Sequence, residues 1–302
     1  MSQGGYLPEG LREMTSCVDH GRLAMAMRSG EIIEGVALSC TPEHDLIVDM
    51  GEGIEGVIPY PETAVGLISG RTRDIAVISR VGRPVCFKVM AKEGSRYILS
   101  RRLAQQEALE HYKRDVKPGD VICGIITHLE PFGAFVDIGC GIISMIGVEN
   151  ISVSRIKHSS ERFGPGQRIY AVVTGVEGER ISLSHRELLG TWEENAARIS
   201  AGQTRIGIVR SIESYGAFIE LTPNLSGLAE NRPGLVRGGA VSVYVKSIMP
   251  EKMKIKLSVI EDLGTSGSGM IKDSDYYIKS GRVDLWEYSP RSCRSKYIAT
   301  RF

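Results

Sequence analysis

The 302 residues carry 37 Lys and Arg against 36 Asp and Glu, a formal charge of +1, with 35 glycines and only 6% aromatic residues. That length holds two or three domains, and many glycines with few aromatics point to tight turns and small barrels rather than one large core. No run of about 18 apolar residues exists, which excludes a transmembrane helix, and the opening Met1-Ser2-Gln3-Gly4-Gly5-Tyr6 lacks the basic and apolar regions of a signal peptide. The six cysteines, Cys17, Cys40, Cys86, Cys123, Cys140 and Cys293, form no CxxC pair. The reading is a cytoplasmic chain with no membrane contact, disulfide framework, metal or cofactor. Charge is uneven: residues 202–302 carry a net +5, which leaves −4 on residues 1–201. The basic end suits an acidic partner, though ordinary surface variation gives the same pattern.

In chain order, residues 1–27 read as an N-terminal segment and 28–102 as a degenerate copy of a repeated unit. That copy opens with Gly35-Val36-Ala37-Leu38, continues through Ile47-Val48-Asp49, and closes on Arg96-Tyr97-Ile98-Leu99-Ser100. Residues 103–116 form a helical linker: Leu103 to Arg114 is rich in Ala, Gln, Glu and Leu, and Pro118-Gly119 stops it. The second unit, 117–188, contains Phe132-Gly133-Ala134-Phe135-Val136-Asp137 and ends on Arg180-Ile181-Ser182-Leu183-Ser184. A second helical linker covers 189–201, overlapping a helical reading from Arg186 to Ile199. Its Trp192 is expected to pack against a barrel. The third unit, 202–262, repeats the core as Tyr215-Gly216-Ala217-Phe218-Ile219-Glu220 and ends on Lys254-Ile255-Lys256-Leu257-Ser258. Each unit has five short runs of alternating apolar and polar residues, the signature of half-buried strands, and suits a five-stranded Greek-key barrel. The fold class is therefore all-β, three tandem OB-type barrels joined by short helical linkers.

Residues 263–302 are a linker and C-terminal extension. Gly264 to Gly269 has the composition of a flexible linker, and Tyr276 to Trp286 reads as a hairpin turning at Ser280-Gly281. With Arg291, Arg294, Lys296 and Arg301 the extension suits either RNA contact or folding back over the last barrel's edge. Folding back is the favoured reading.

The opening glycine, the Phe132-to-Asp137 core and the Arg180-to-Ser184 close together resemble the RNA-binding domain of bacterial ribosomal protein S1. The strong match covers 117–262, that over 28–102 is degenerate, and 263–302 lies outside it. The run of units resembles a short member of that family, of the Gram-positive kind. The resemblance implies S1-like barrels that bind single-stranded RNA, mRNA in particular, in translation beside the small ribosomal subunit. It also implies a role for an N-terminal barrel in ribosome attachment.

Exposed rings give unstacked bases a platform, each stack being worth about 1–3 kcal/mol. Phe132 and Phe135 are the candidates in the middle barrel and Tyr215 and Phe218 in the last, with the intervening glycine permitting a turn or bulge that brings each pair to one surface. Partial burial of Phe135 and Phe218 in the core is the competing reading. Arg180, Lys254, Lys246, Arg155 and Lys157 are candidate phosphate contacts, with Lys246 placed where the middle barrel has Val172. Their alternative is solvated surface, and His158 is read as surface. The family's usual loop histidine is replaced by Gly147 and Glu230. At the aromatic positions the first barrel has His44 and Ile47, with Asp45 for the glycine, so it is read as a docking barrel. A protein-docking adaptor in a ribosomal or RNA-degradation complex, with weak RNA binding, is the alternative function. No paired carboxylates, HExxH, P-loop or nucleophile elbow is present, so the chain is read as non-catalytic.

Overall fold

The computed structural model describes residues 5–11 and 19–302; residues 1–4 and 12–18, Cys17 among them, lie outside the described residues. Helix α1 (His20–Ser29) begins where the Asp19 side chain accepts from the Arg22 N–H and ends at Gly30, which takes the left-handed conformation at φ 71°. The first barrel follows with β1 (Ile33–Cys40), β2 (Leu46–Asp49), β3 (Glu55–Ile58), β4 (Pro84–Glu93) and β5 (Arg96–Ser100). Its long β3–β4 connection carries a short helix, α2 (Ile75–Ile78). Helix α3 (Arg101–Asp115) is capped by Ser100 Oγ and leads to the middle barrel. That barrel comprises β6 (Val121–Glu130), β7 (Gly133–Asp137), β8 (Ile143–Gly147), β9 (Arg168–Glu177) and β10 (Arg180–Ser184). The last barrel comprises β11 (Thr204–Glu213), β12 (Gly216–Thr222), β13 (Leu225–Ala229), β14 (Gly239–Met249) and β15 (Lys254–Ser266).

All three sheets close in the same order: first, second, third, fifth and fourth strand, and back to the first. The third and fifth strands pair in parallel (Val57↔Ile98, Met145↔Ser182, Leu228↔Lys256) and every other pair is antiparallel. Alternation is what makes the barrels. Ala134 and Val136 point inward and are fully buried, as are Ala217 and Ile219, while Phe135 and Phe218 between them face outward. Each first strand skips one residue in its pairing with the second: Leu38, Thr127 and Arg210. Such a bulge bends the strand and lets the sheet close.

The second linker differs from its reading. A 3-10 turn at Arg186–Leu189 is followed by Gly190 at φ 79°, and only then by α4 (Trp192–Ala196), capped by Thr191 and Glu194. The glycine splits the helix expected across Arg186 to Ile199. Trp192 is buried against the core.

The acid that ends each aromatic–Gly-Ala-Phe run joins one part of the chain to another. Asp137 accepts from the Glu9 N–H at 2.9 Å and from Gly139 and Gly141. Burial first, then the Glu9 charge, pushes its carboxyl well above the ordinary aspartate range. Glu9 in turn holds Arg101 through two hydrogen bonds of 2.7 and 2.9 Å and accepts from the Cys86 N–H, tying the opening segment, first barrel and α3 together. Glu220 holds both Arg162 of the middle barrel and Arg210 of β11, and Arg210 continues to Glu161 at 2.7 Å. Asp49, the equivalent in the first barrel, accepts only a local bond, from Gly51, among the described residues.

The extension folds back, but onto the middle barrel rather than the last barrel's edge. The Val121 N–H donates to Gly281 O, Val283 N–H to Gly119 O and Trp192 N–H to Tyr288 O, and Tyr276, Trp286 and Tyr288 are buried. Segment 276–286 does not form a hairpin at Ser280-Gly281, because that stretch bonds to the start of β6. The pairing that forms is β16 (Leu285–Glu287) with β17 (Ala299–Arg301). Nor is 264–269 a free linker: β15 runs to Ser266, opposite Gly239, and the Gly267 N–H donates to Gly238 O. Composition does not register a backbone ladder. Among the described residues, no helix is long and apolar enough to cross a membrane.

Candidate nucleic-acid interface

The β6–β7 connection is a two-residue turn, because Glu130 pairs with Gly133 and leaves Pro131-Phe132 outside the ladder. Ser214-Tyr215 does the same between Glu213 and Gly216. Phe132 and Tyr215 therefore escape strand alternation and stand at the turns, 56% and 68% exposed. Phe135 and Phe218 follow on the strands, half-buried and outward-facing. The rings of each pair meet edge to face, with centroids 6.1 Å apart for Phe132 and Phe135 and 6.2 Å for Tyr215 and Phe218. The turn brings the pair together; the glycine has another purpose. A Cβ on Gly133 would lie 2.4 Å from Ile146 O, and one on Gly216 2.5 Å from Ala229 O, so only glycine lets the third strand approach.

Pairing register extends each platform sideways. In the middle barrel the outer row runs His128, Phe135, Met145, Ser182. The His128 ring lies 6.0 Å from that of Phe135, and its Nε2 is 2.6 Å from Glu130 Oε1. In the last barrel the row is Ser211, Phe218, Leu228, Lys256. Lys256 stands two strand spacings from Phe218, about 10 Å, with its side chain exposed. Sequence reasoning missed His128 and Lys256. His128 is found only by counting pairing partners past the bulge at Thr127, and Lys256 only through the register of β12, β13 and β15.

Arg180 and Lys254 open equivalent closing strands and are exposed, two residues below the platform row. Arg96 holds the same place in the first barrel. Lys246 is not opposite Val172: Leu183 pairs with Val173 and Leu257 with Val245, so Lys246 matches Thr174 and Val172 matches Tyr244. Both Thr174 and Lys246 are skipped in the ladder, and that extra residue displaced the alignment. Lys246 Nζ pairs with Glu230 at 3.4 Å, so the acid at the family's loop-histidine position is offset by a neighbouring cation. Arg155 and Lys157 are exposed on the β8–β9 connection. Ser159 Oγ anchors that segment to Glu130 O beside the Phe132 turn, and Ser154 and Val153 tie it to Ser226 and Asn224 of the last barrel. His158 is half-buried and caps the Ser159–Glu161 turn.

The first barrel's row is Ser39, Ile47, Val57, Ile98, almost wholly aliphatic. His44 does find a ring neighbour, Tyr60, at 5.7 Å, but the Tyr60 hydroxyl donates to Asp74 at 2.7 Å and Asp45 accepts from the Tyr60 N–H. Two carboxylates flank that pair, and the Tyr60 hydroxyl is pushed above its usual range by its bond to Asp74.

The S1 RNA binding domain family matches residues 115–186, the middle barrel. The chain is 31% identical over 236 residues to the small ribosomal subunit protein bS1 homolog of Bacillus cereus, covering 72% of this chain and 59% of that protein. It is 28% identical over 268 residues to small ribosomal subunit protein bS1 of Staphylococcus aureus, covering 82% and 66%. A multidomain protein with nucleic acid binding domains from Streptococcus pneumoniae aligns over 76% of this chain and 73% of its own, at 15% identity and a TM-score of 0.26. The matches span 59% and 66% of the length of these two curated relatives.

Proposed function

Because this chain belongs to the bacterial ribosomal protein S1 family, we propose that it binds single-stranded RNA, mRNA above all, in translation at the small ribosomal subunit. The observation that carries this reading is the edge-to-face aromatic pair, repeated at one register position in two barrels. A base laid on Phe132 or Tyr215 covers an exposed ring, and the next can rest on the row of Phe135 or Phe218. Stacking tolerates any base, which suits a protein that holds unstructured strands rather than reading a sequence. Lys254, Lys256, Arg180, Arg155 and Lys157 neutralise phosphates, so affinity falls as salt rises. The reading is of a binding protein of the cytoplasm, with no catalytic step assigned to it.

The first barrel is the docking element in this reading. Its β3–β4 connection exposes Ile68, Ile75, Ile78 and Val81, an apolar surface unlike the outer rows of the other two barrels. The test is equilibrium binding of the full chain to an unstructured oligoribonucleotide across a salt series, beside co-sedimentation with small ribosomal subunits. Log affinity should fall with log salt at a slope of about −0.7 per neutralised phosphate, and Ile68→Glu with Ile78→Glu should weaken sedimentation while leaving oligonucleotide affinity intact. No measurable affinity, or a slope near zero, favours the docking adaptor instead.

A further inference from the structure

Between the first and middle barrels lies a cleft of about 760 Å³ whose lining includes five arginines. Its floor is α3, with Arg101 and Gln105; one wall is the β3–β4 connection of the first barrel, with Arg71, Arg73, Arg80 and Arg83. The opposite wall belongs to the middle barrel and includes Thr127 and His128. The cleft therefore opens onto the stacking platform, since the His128 ring is 6.0 Å from that of Phe135 and Thr127 Oγ1 donates to Phe135 O. Arg71 bridges the walls, holding Glu179 through two hydrogen bonds of 2.6 and 3.1 Å. Glu179 immediately precedes Arg180, which places that exposed cation at the rim.

Positive charge in this cleft exceeds what the chain supplies against it. Among the described residues five arginines line it, Glu179 is the one carboxylate in the lining, and Glu9, shared by Arg101 and Arg80, lies behind with Asp137. Arg80 Nε is buried and has no hydrogen-bond acceptor among the described residues. Burial, and after the opposing pull of Glu9 the nearby Arg101 and Arg83, hold the Arg80 guanidinium below its usual range. The guanidinium groups of Arg73 and Arg83 are exposed and show no ion pair or side-chain hydrogen bond among the described residues. An unpaired buried donor beside mutually repelling cations is costly unless an anion is taken up. Arginine's planar fork fits phosphate oxygens.

We propose that this cleft is a phosphodiester-binding channel, in which arginines of the first barrel neutralise the backbone of the RNA strand whose bases stack on Phe132 and Phe135. The first barrel, which lacks a platform of its own, contributes charge to its neighbour's. This rests on the RNA-binding reading above. The test is a salt titration of a long oligouridylate on the full chain, comparing wild type, Arg73→Ala/Arg83→Ala and Phe132→Ala. Both arginines are exposed, so the double variant should keep the wild-type melting temperature. Its slope of log affinity against log salt should become shallower by about 1.4, two phosphates at about 0.7 each. Arg73→Lys/Arg83→Lys should restore the slope, and Phe132→Ala should weaken binding without changing it. A double variant with the wild-type slope, beside a Phe132→Ala variant that binds weakly, overturns the channel and leaves the RNA-binding reading standing. A wild type with no affinity for the oligouridylate overturns both.

Discussion

The first and middle barrels share strand order, the bulge in the opening strand and the register of every pair, yet they present different outer rows. Where the middle barrel places His128, Phe135, Met145 and Ser182, the first places Ser39, Ile47, Val57 and Ile98. The inward residues of both are mostly aliphatic or aromatic, and buried. Closing a barrel thus constrains one side of each strand, while the other side is free to become a platform or to lose one. The joints diverge in the same way. The acids Asp137 and Glu220 each organise a buried charged cluster between parts of the chain, while Asp49 makes a local bond. The core follows suit: the buried apolar residues of the middle and last barrels merge into one cluster with the extension, and those of the first barrel form a second with α1.

The largest expected effect breaks a joint. Glu220→Ala leaves Arg162 and Arg210 buried without their acceptor and should cost about 3–5 kcal/mol in denaturant unfolding. Asp49→Ala should cost about 1 kcal/mol, one hydrogen bond. Equal losses would mean that the two acids do not differ in role.

Acid comes next. His185 is fully buried, with Nδ1 2.8 Å from Ile151 O and Nε2 2.9 Å from the Tyr276 hydroxyl of the extension. Nδ1–H must donate to the carbonyl, so Nε2 accepts from Tyr276 and the ring is neutral. Burial, against the bond to Ile151, holds its pKa down at about 4. A folded pKa below the unfolded value near 6.5 means that this stability is complete above about pH 6.5 and is lost as pH falls towards 4. The loss attributable to His185 should approach about 3 kcal/mol. Acid unfolding profiles of wild type and His185→Gln give it by difference, the variant lacking that loss. The first barrel has Arg101 at the equivalent position, which keeps its charge throughout.

Binding effects are smaller. Phe132→Ala and Tyr215→Ala should each weaken oligoribonucleotide affinity by about 1–3 kcal/mol, while His44→Ala leaves it unchanged. Lys256→Ala should reduce the salt slope by about 0.7. An equal response to His44→Ala would erase the distinction between the barrels.

The barrels were legible because alternation and repeated closing strands are local patterns, and the aromatic pairs because each sits within four residues. What escaped depends on pairing. His128 joins its row only when the skipped Thr127 is counted, Lys256 only through the pairing of β12, β13 and β15, and Lys246 falls out of step with Val172 because each fourth strand skips a residue of its own. The acid of the aromatic motif gave no sign of its partners, Glu9 and Arg162, which are remote in sequence. The extension's Ser-Gly turn signal was sound local chemistry, overridden by backbone bonds to the start of β6.

The central claim is that RNA lies on the middle and last barrels by way of their aromatic turns. Ultraviolet crosslinking of an unstructured oligouridylate to the full chain, with the modified residues mapped by mass spectrometry, tests it directly. The account predicts adducts at Phe132, Phe135, Tyr215 and Phe218; adducts confined to His44 and Tyr60 of the first barrel would contradict it.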